Sequence, residues 1–580
     1  MAGPYSLLRS AVRQAVEAAF GAEHAAVDPA VHRSQFADYQ ADVALRLAKP
    51  LKQKPLDIAK TIADKLDLSG VADVSVSPPG FVNFRFSASY LEAEVARLAA
   101  DERCGVPRVE KPETIVVDYS GPNVAKEMHA GHLRSTVIGD TLARTLAFLG
   151  HNVIPQNHIG DWGTPFGMLI EHLNDVGRDA AVQELSVGSL TEFYQAARKK
   201  FDEDPEFAER SRKRVVQLQA GDAATLDAWR ELTGASRRYF TTIYDKLGIL
   251  LRDDDVRGES FYNPFLSEVA DDLEKRGIAR VDQGALCVFP PGFVGREKEP
   301  LPLIIRKQDG GYGYAATDLA GLRYRFRDLG SNRVLYVVGA PQQQHLAMVF
   351  AAAEMAGYTP PGGRAEHVAF GSVLGPDKKM FKTREGGSVK LGALVDEAIE
   401  RARKAVKEKN PDLAEDVVAT VASQVGPASI KYVDLSSDRV KDYVFDWDRM
   451  IAFEGNTAGY LQYAHARIRS IERKAEDEGR GLGGELAPIR VQADAERALA
   501  LELLDLELAL SSTAAGLQPH KLCTYLYELA STFTTFYDQC PVLKAETDEL
   551  RRSRLTLAGS TRRALALGLS LLGISAVERM

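Results

Sequence analysis

The sequence predicts an α/β core, a Rossmann-type parallel sheet with an insertion, flanked by an N-terminal α+β domain and a C-terminal all-α helical bundle. Three observations carry that prediction. "TIVVDYS" at 114–120, a helical pattern running to Gly150 and "NVIPQ" at 152–156 put strand, helix and strand in succession. That is a βαβ unit, right-handed by default. "FVNFRF" at 81–86 alternates apolar and polar residues after the turn "SPPG", the period of a half-buried strand. From roughly residue 390 onward the pattern is helical almost throughout, with "LALELLDLELAL" and "LCTYLYELASTFTTFYDQC" as its most apolar runs.

Taken in order, "MAGPYSLLRSAVRQAVEAAF" spaces its apolar residues as an amphipathic helix. It lacks the basic start, unbroken apolar stretch and cleavage site of a secretory signal, and is expected to open a folded domain over residues 1–110. In that domain Val82, Phe84 and Phe86 fall on one strand face and Asn83 and Arg85 on the other, as at a sheet edge. "DERCGVPRVEKPE" reads as a linker. The core is expected over 111–390, interrupted around 175–300 by a charged, irregular, largely helical insertion, with "RVLYVVGA" at 333–340 returning to strand. Residues 391–450 then form a helical connector and 451–580 a separate bundle.

Composition is that of a globular chain: 580 residues, 45% hydrophobic and 26% charged, with a net charge of −8. No run of about 18 apolar residues suggests a membrane span. The scattered Cys104, Cys287, Cys523 and Cys540 form no Cys-x-x-Cys pair, which suits a reducing compartment, the cytoplasm, and offers no zinc knuckle. The acidic balance does not advertise nucleic acid, yet phosphate contact needs only a local basic stripe. Such stripes stand at "ARKK" 197–200, "RSRKR" 210–214, "RARKAVKEK" 401–409 and "HARIRSIERK" 465–474.

The stretch "KEMHAGHLRST" at 126–136 decides the chemistry. Leu133, Val137, Ile138, Leu142, Leu146 and Leu149 set up a helix whose N-terminus falls at His129 and His132. A metal would need further ligands, and none cluster nearby in sequence; two polar caps are the plainer alternative. Context favours a nucleotide. Gly131 lets a ligand approach the backbone, the helix start offers free N–H groups, and ligands bind at the carboxyl ends of parallel strands. Two imidazoles there can donate to phosphate oxygens whose charge grows during displacement at phosphorus.

"DYSGPNVAKEMHAGHLRSTVIGD" and "NHIGDWGTPFGML" closely resemble the signature region of arginyl-tRNA synthetases, a class I family. The resemblance extends through "FADYQ", "PGFVNFRF", "GYGYAATDLAG", "YVVGAPQQQHL", "FKTREGGSVKL", "DYVFDWDRM" and "FEGNTAGYLQYAHARIRS". It implies two steps: the arginine carboxylate attacks the α-phosphorus of ATP, and the resulting adenylate passes arginine to the 3′-terminal ribose of tRNA(Arg). ATP, with Mg2+ from its chemistry, and L-arginine are the implied small molecules, and family habit suggests a monomer. Two other readings stay open: a different class I synthetase or adenylylating ligase, and an RNA-binding protein that has lost turnover.

By the same resemblance His129 and His132 bind ATP and stabilise the transition state, with Gly131 giving room. Asp118, ending the first strand, and Asp318 in "YAATD" stand where the family binds the guanidinium, a planar fork of donors suited to carboxylates. Tyr314, four residues before Asp318, shares its helix face. Asn123 and Gln342 match residues holding the α-amino and carboxylate groups. Gly121 replaces a family serine and cannot supply its hydroxyl, which leaves that contact to Ser120 or to backbone groups. Where the family's class has a Lys-Met-Ser-Lys-Ser loop this chain has "MFKTR", so Phe381, Lys382, Thr383 and Arg384 are the expected triphosphate contacts. Thr383 takes the second lysine's position, and Lys126 is expected to compensate beside Lys382. Residues 1–110 are expected on the tRNA elbow. Tyr460, Tyr463, Arg467 and Arg469 of the bundle are expected on the anticodon stem and loop, and activation is expected to require tRNA.

Overall fold

Ile115, Val116 and Val117 have no exposed surface, nor do Val334 and Leu335; continuous apolar runs of this kind suit parallel strands covered on both faces. In the computed structural model they build the middle of a four-stranded parallel sheet ordered Arg364–His367, Arg333–Tyr336, Thr114–Asp118, Asn152–Gln156. The structure describes residues 3–124, 126–163, 165–177, 190–295, 298–379, 381 and 389–580. Strand register aligns His367, Tyr336, Asp118 and Gln156 along the carboxyl edge of the sheet. The crossover helix Ala130–Phe148 buries Leu133, Val137, Ile138, Leu142 and Leu146. It also buries Arg134, whose Nε lies 3.3 Å from Asp434 Oδ1, so little of this helix faces water.

The chain divides into two compact units. One comprises Glu110–Ile451 with Leu572–Ile574, and includes the helices Leu391–Lys409 and Glu415–Ser436 that the sequence reading treats as a connector. The expected insertion supplies the helices Leu190–Glu203, Pro205–Gln219 and Ala223–Leu247, and also a three-stranded antiparallel sheet, Ala279–Asp282, Ala285–Val288 and Leu303–Arg306. Strands of four residues are too short to display a period, which is why this stretch reads as irregular.

The other unit joins Met1–Val109 with Ala452–Leu571 and Ser575–Met580, its boundary falling inside the stretch read as a linker. Its sheet is ordered Val31–Arg33, Tyr39–Ala41, Phe81–Phe86, Ala72–Ser77. Phe81–Phe86 is thus an interior strand and not a sheet edge. Val82, Phe84 and Phe86 are buried and Arg85 is exposed, but Asn83 is buried too, its Nδ2 donating to Ser77 Oγ at 2.9 Å. N- and C-terminal residues meet directly within this unit. Arg33 Nε lies 3.0 Å from Asp505 Oδ2, the Tyr39 hydroxyl donates to Asp505, and Arg497 Nη2 lies 2.7 Å from Asp38 Oδ2. Asp505 also interrupts the apolar run at 499–510, separating the helices Asp494–Leu504 and Leu506–Gly516.

Candidate active site

His129 is the N-cap of the helix Ala130–Phe148. Its Nδ1 accepts the Gly131 N–H at 3.1 Å, and His132 Nδ1 accepts the His129 N–H at 3.1 Å. Each ring nitrogen that accepts cannot carry the proton, so both neutral imidazoles carry it on Nε2. The ring centroids lie 3.9 Å apart. Burial pushes His132 down to about 3, with the neighbouring His129 adding to it; burial and then the Lys126 charge lower His129. At neutral pH the pair is therefore uncharged, two donors without a cation. A Cβ at Gly131 would meet the His129 ring at 2.9 Å, so the glycine first of all allows His129 to fold over its own helix start.

Of the two acids expected at the guanidinium, Asp118 is engaged within the fold. Asp118 is buried, its Oδ2 accepting from Arg325 Nη2 at 2.8 Å and its Oδ1 from the His158 N–H at 3.2 Å. Arg325 also donates from Nε to Gln156 Oε1 at 2.8 Å, and its guanidinium stands 4.8 Å from the Tyr336 ring centroid. It thereby ties together the last residues of three parallel strands. It comes from a π-helical turn, Tyr324–Asp328, that follows the helix Tyr314–Arg323. In this structure Asp118 is the partner of Arg325.

Asp318 is the more open acid. It lies one turn from Tyr314, which is 76% exposed, and its Oδ2 is 2.6 Å from His345 Nε2; the carboxylate raises that imidazole in turn. A second acid, missing from the expected set, is Glu259. Burial raises it to about 7, while His158 lowers it and Asp161 and Asp318 raise it further. Asp161 is itself fixed by the Ser260 N–H and hydroxyl at 2.8 and 2.7 Å. No period marks Glu259 in the sequence, because it reaches Asp318 only through the fold. The Ser120 hydroxyl lies 2.7 Å from the Tyr244 hydroxyl and accepts from Thr136 at 3.0 Å, all buried. Asn123 and Gln342 are exposed at the carboxyl side of the sheet. A Cβ at Gly160, which bridges to Asn123, would strike the Asn123 side chain.

Lys126 is exposed, its ammonium 4.6 Å from the Tyr194 ring centroid. Lys382, Thr383 and Arg384 lie outside the described residues. The ends of their segment are anchored. Phe381 stacks on Phe445 at 4.5 Å. Residue 389 accepts from the Ala130 N–H at 2.9 Å, and the Leu391 N–H donates to the Met128 carbonyl at 2.8 Å. The far end of the segment is thus paired with the backbone of the histidine motif.

Three family models match this chain: the class I (R) tRNA synthetase catalytic domain over 94–447, the DALR anticodon binding domain over 461–580 and the arginyl tRNA synthetase N terminal domain over 6–86. An arginine–tRNA ligase of Thermobifida fusca is 53% identical over 583 residues, all of both chains being covered. The chain belongs to the arginyl-tRNA synthetases. An Escherichia coli K12 arginine–tRNA ligase is 48% identical over 579 residues, with 99% of each chain covered. The arginyl-tRNA synthetase structure from Thermus thermophilus superposes with a TM-score of 0.84 at 28% identity, and that from Plasmodium falciparum with 0.83 at 29%, each covering all of both chains. As an arginyl-tRNA synthetase the chain is an arginine–tRNA ligase, coupling arginine, ATP and tRNA(Arg).

In the synthetase's other unit the helix Ala458–Asp477 carries the four expected tRNA residues. Tyr460, Tyr463 and Arg467 share one face and are half-buried. Tyr460 packs 5.7 Å from Tyr527, and the Arg467 guanidinium lies 4.3 Å from the Tyr537 ring centroid. Arg469 points elsewhere: it pairs with Glu578 at 2.7 Å and Glu472 at 3.0 Å. Among the described residues no helix is long and apolar enough to cross a membrane.

Proposed function

We propose the following division of labour for the arginine–tRNA ligase. Asp318 and Glu259 face the substrate guanidinium, with Tyr314 against its plane, while Asn123 and Gln342 hold the α-amino and carboxylate groups. A guanidinium arriving beside Glu259 favours its ionised form, against the burial that raises it. His129 and His132 donate Nε2–H bonds to the phosphate oxygens as the arginine carboxylate attacks the α-phosphorus. Lys126 and Lys382, with Arg384, meet the departing pyrophosphate. No protein nucleophile is needed; positioning and fixed donors do the work.

Magnesium would enter with ATP. Among the described residues no group of three or more His, Cys, Asp or Glu could hold a metal, so the ion would take its ligands chiefly from phosphate oxygens and water, as Mg2+ commonly does. The bundle takes the anticodon arm and the N-terminal region the elbow of tRNA(Arg), and activation waits for that tRNA. Four free, buried cysteines support work in the reducing cytoplasm.

The capped histidine pair at the start of the crossover helix, with Nε2–H left on both rings, carries this reading. Pyrophosphate exchange into ATP, run with arginine, lysine or cysteine and with or without tRNA(Arg), tests it. Glu259→Gln should raise the arginine KM about tenfold or more, the worth of a hydrogen bond to a charged group. An unchanged arginine KM would remove Glu259 from the pocket, and exchange without tRNA would remove the requirement for it.

A further inference from the structure

The carboxylate next to Lys126 in the chain is Glu127. That carboxylate is already taken, by Lys390 Nζ at 2.8 Å. Among the described residues Lys126 forms no ion pair; its ammonium instead stands over the Tyr194 ring at 4.6 Å. Tyr194 comes from the inserted helix Leu190–Glu203, which the catalytic sheet does not require. Its neighbour Phe193 is 2% exposed and packs 4.7 Å from the ring of His172 in the helix Pro165–Val176. Lys200 reaches Asp175 of that same helix at 3.5 Å. The helix thus contacts Pro165–Val176 on both sides of Tyr194.

We propose that Tyr194 is a positioning residue for Lys126, holding the ammonium at the triphosphate end of the pocket without neutralising it. A carboxylate in that place would fix the lysine equally well but cancel the charge that pyrophosphate needs. An aromatic face attracts a cation through its quadrupole alone and leaves the ammonium's N–H donors for phosphate oxygens. It also restrains a side chain whose rotamer freedom is otherwise large. The inserted helix thus acts on ATP through a single ring. This inference rests on the reading of Lys126 as a triphosphate cation, and its test separates the two.

The measurement is ATP–pyrophosphate exchange by the full chain with tRNA(Arg), recording the ATP and arginine KM values separately. Tyr194→Leu should lower kcat/KM for ATP about three- to tenfold, the reach of one cation–π contact, with the arginine KM unmoved. Tyr194→Phe keeps the face and should restore it. On a Lys126→Ala background Tyr194→Leu should add nothing. Substituting phenylalanines of increasing ring fluorination at 194 preserves shape and should lower kcat/KM for ATP stepwise, which keeps the test open if the leucine variant does not fold. A flat fluorination series, a Tyr194→Phe as impaired as Tyr194→Leu, or equal losses for both substrates overturns the inference while leaving Lys126 in place. An unimpaired Lys126→Ala overturns the underlying reading, and the inference with it.

Discussion

His132 illustrates how burial sets the chemistry of one side chain. Its ring is held at about 3 by desolvation and by His129, so it acts as a neutral donor wherever the enzyme works. His132→Ala should lower the exchange kcat by about 10²–10³-fold, the usual cost of losing one preorganised donor. The profile of kcat between about pH 5 and 8 should carry no limb that this substitution abolishes; an imidazole limb near 6.5 that vanishes in the variant would contradict the tautomer argument. The stability linkage has a definite sign. Between 6.5 and about 3 the unfolded chain takes up a proton that folded His132 refuses. Its contribution is complete above 6.5 and is lost as pH falls through that window. Glu259 behaves oppositely: held near 7, it should make the arginine KM fall as pH rises through about 7, a dependence that Glu259→Gln flattens.

At the scale of elements, the carboxyl edge of the sheet is held by Arg325. The π-helical turn Tyr324–Asp328 rotates that guanidinium inward, where it reaches Asp118, Gln156 and Tyr336. Removing the cation strands a buried carboxylate, so Arg325→Met should cost about 3–5 kcal/mol in denaturant unfolding. Replacing both partners, Arg325→Met with Asp118→Leu, should recover part of that loss, because a buried pair exchanged for apolar groups is often near neutral. If the double variant is no more stable than Arg325→Met alone, the His158 N–H that Asp118 also accepts outweighs the pair with Arg325. The helix Ala130–Phe148 follows a similar logic: its buried Arg134 is matched by Asp434 at 3.3 Å and by the Lys441 carbonyl at 2.9 Å.

For the molecule as a whole, the unit made of both chain ends has its own electrostatic weak point. Glu502, Asp505 and Glu528 gather around the single guanidinium of Arg33, with the Tyr39 hydroxyl on Asp505. Burial pushes Glu502 up to about 8 and Asp505 up to about 6. Folded carboxyls that hold protons longer than unfolded ones make stability fall as pH rises, here from about 4.5 through about 8. The unfolding midpoint of this unit should therefore drop by on the order of a few degrees between about pH 5 and 8.5. Glu502→Gln should flatten the curve, measured by thermal melting across that range. A midpoint rising over the same interval would mean that Arg33 outweighs the three acids.

The sequence by itself determined the parallel sheet, its crossover helix, the helical bundle and the place of the histidine motif. Each depends on local periodicity or on a run of residues adjacent in the chain, such as Ile115–Val117 or Leu133 through Leu146. It also carried the family, through long motifs in order. Only the tertiary structure decided that Asp118 belongs to Arg325, 207 residues away, that the Ser120 hydroxyl is spent on Tyr244, 124 residues away, and that Arg469 pairs with Glu578. It also brought Glu259 to Asp318 and Tyr194 to Lys126. A charge has no periodicity. Which partner it meets follows from how distant segments pack, and that is what separates an open carboxylate from a neutralised one.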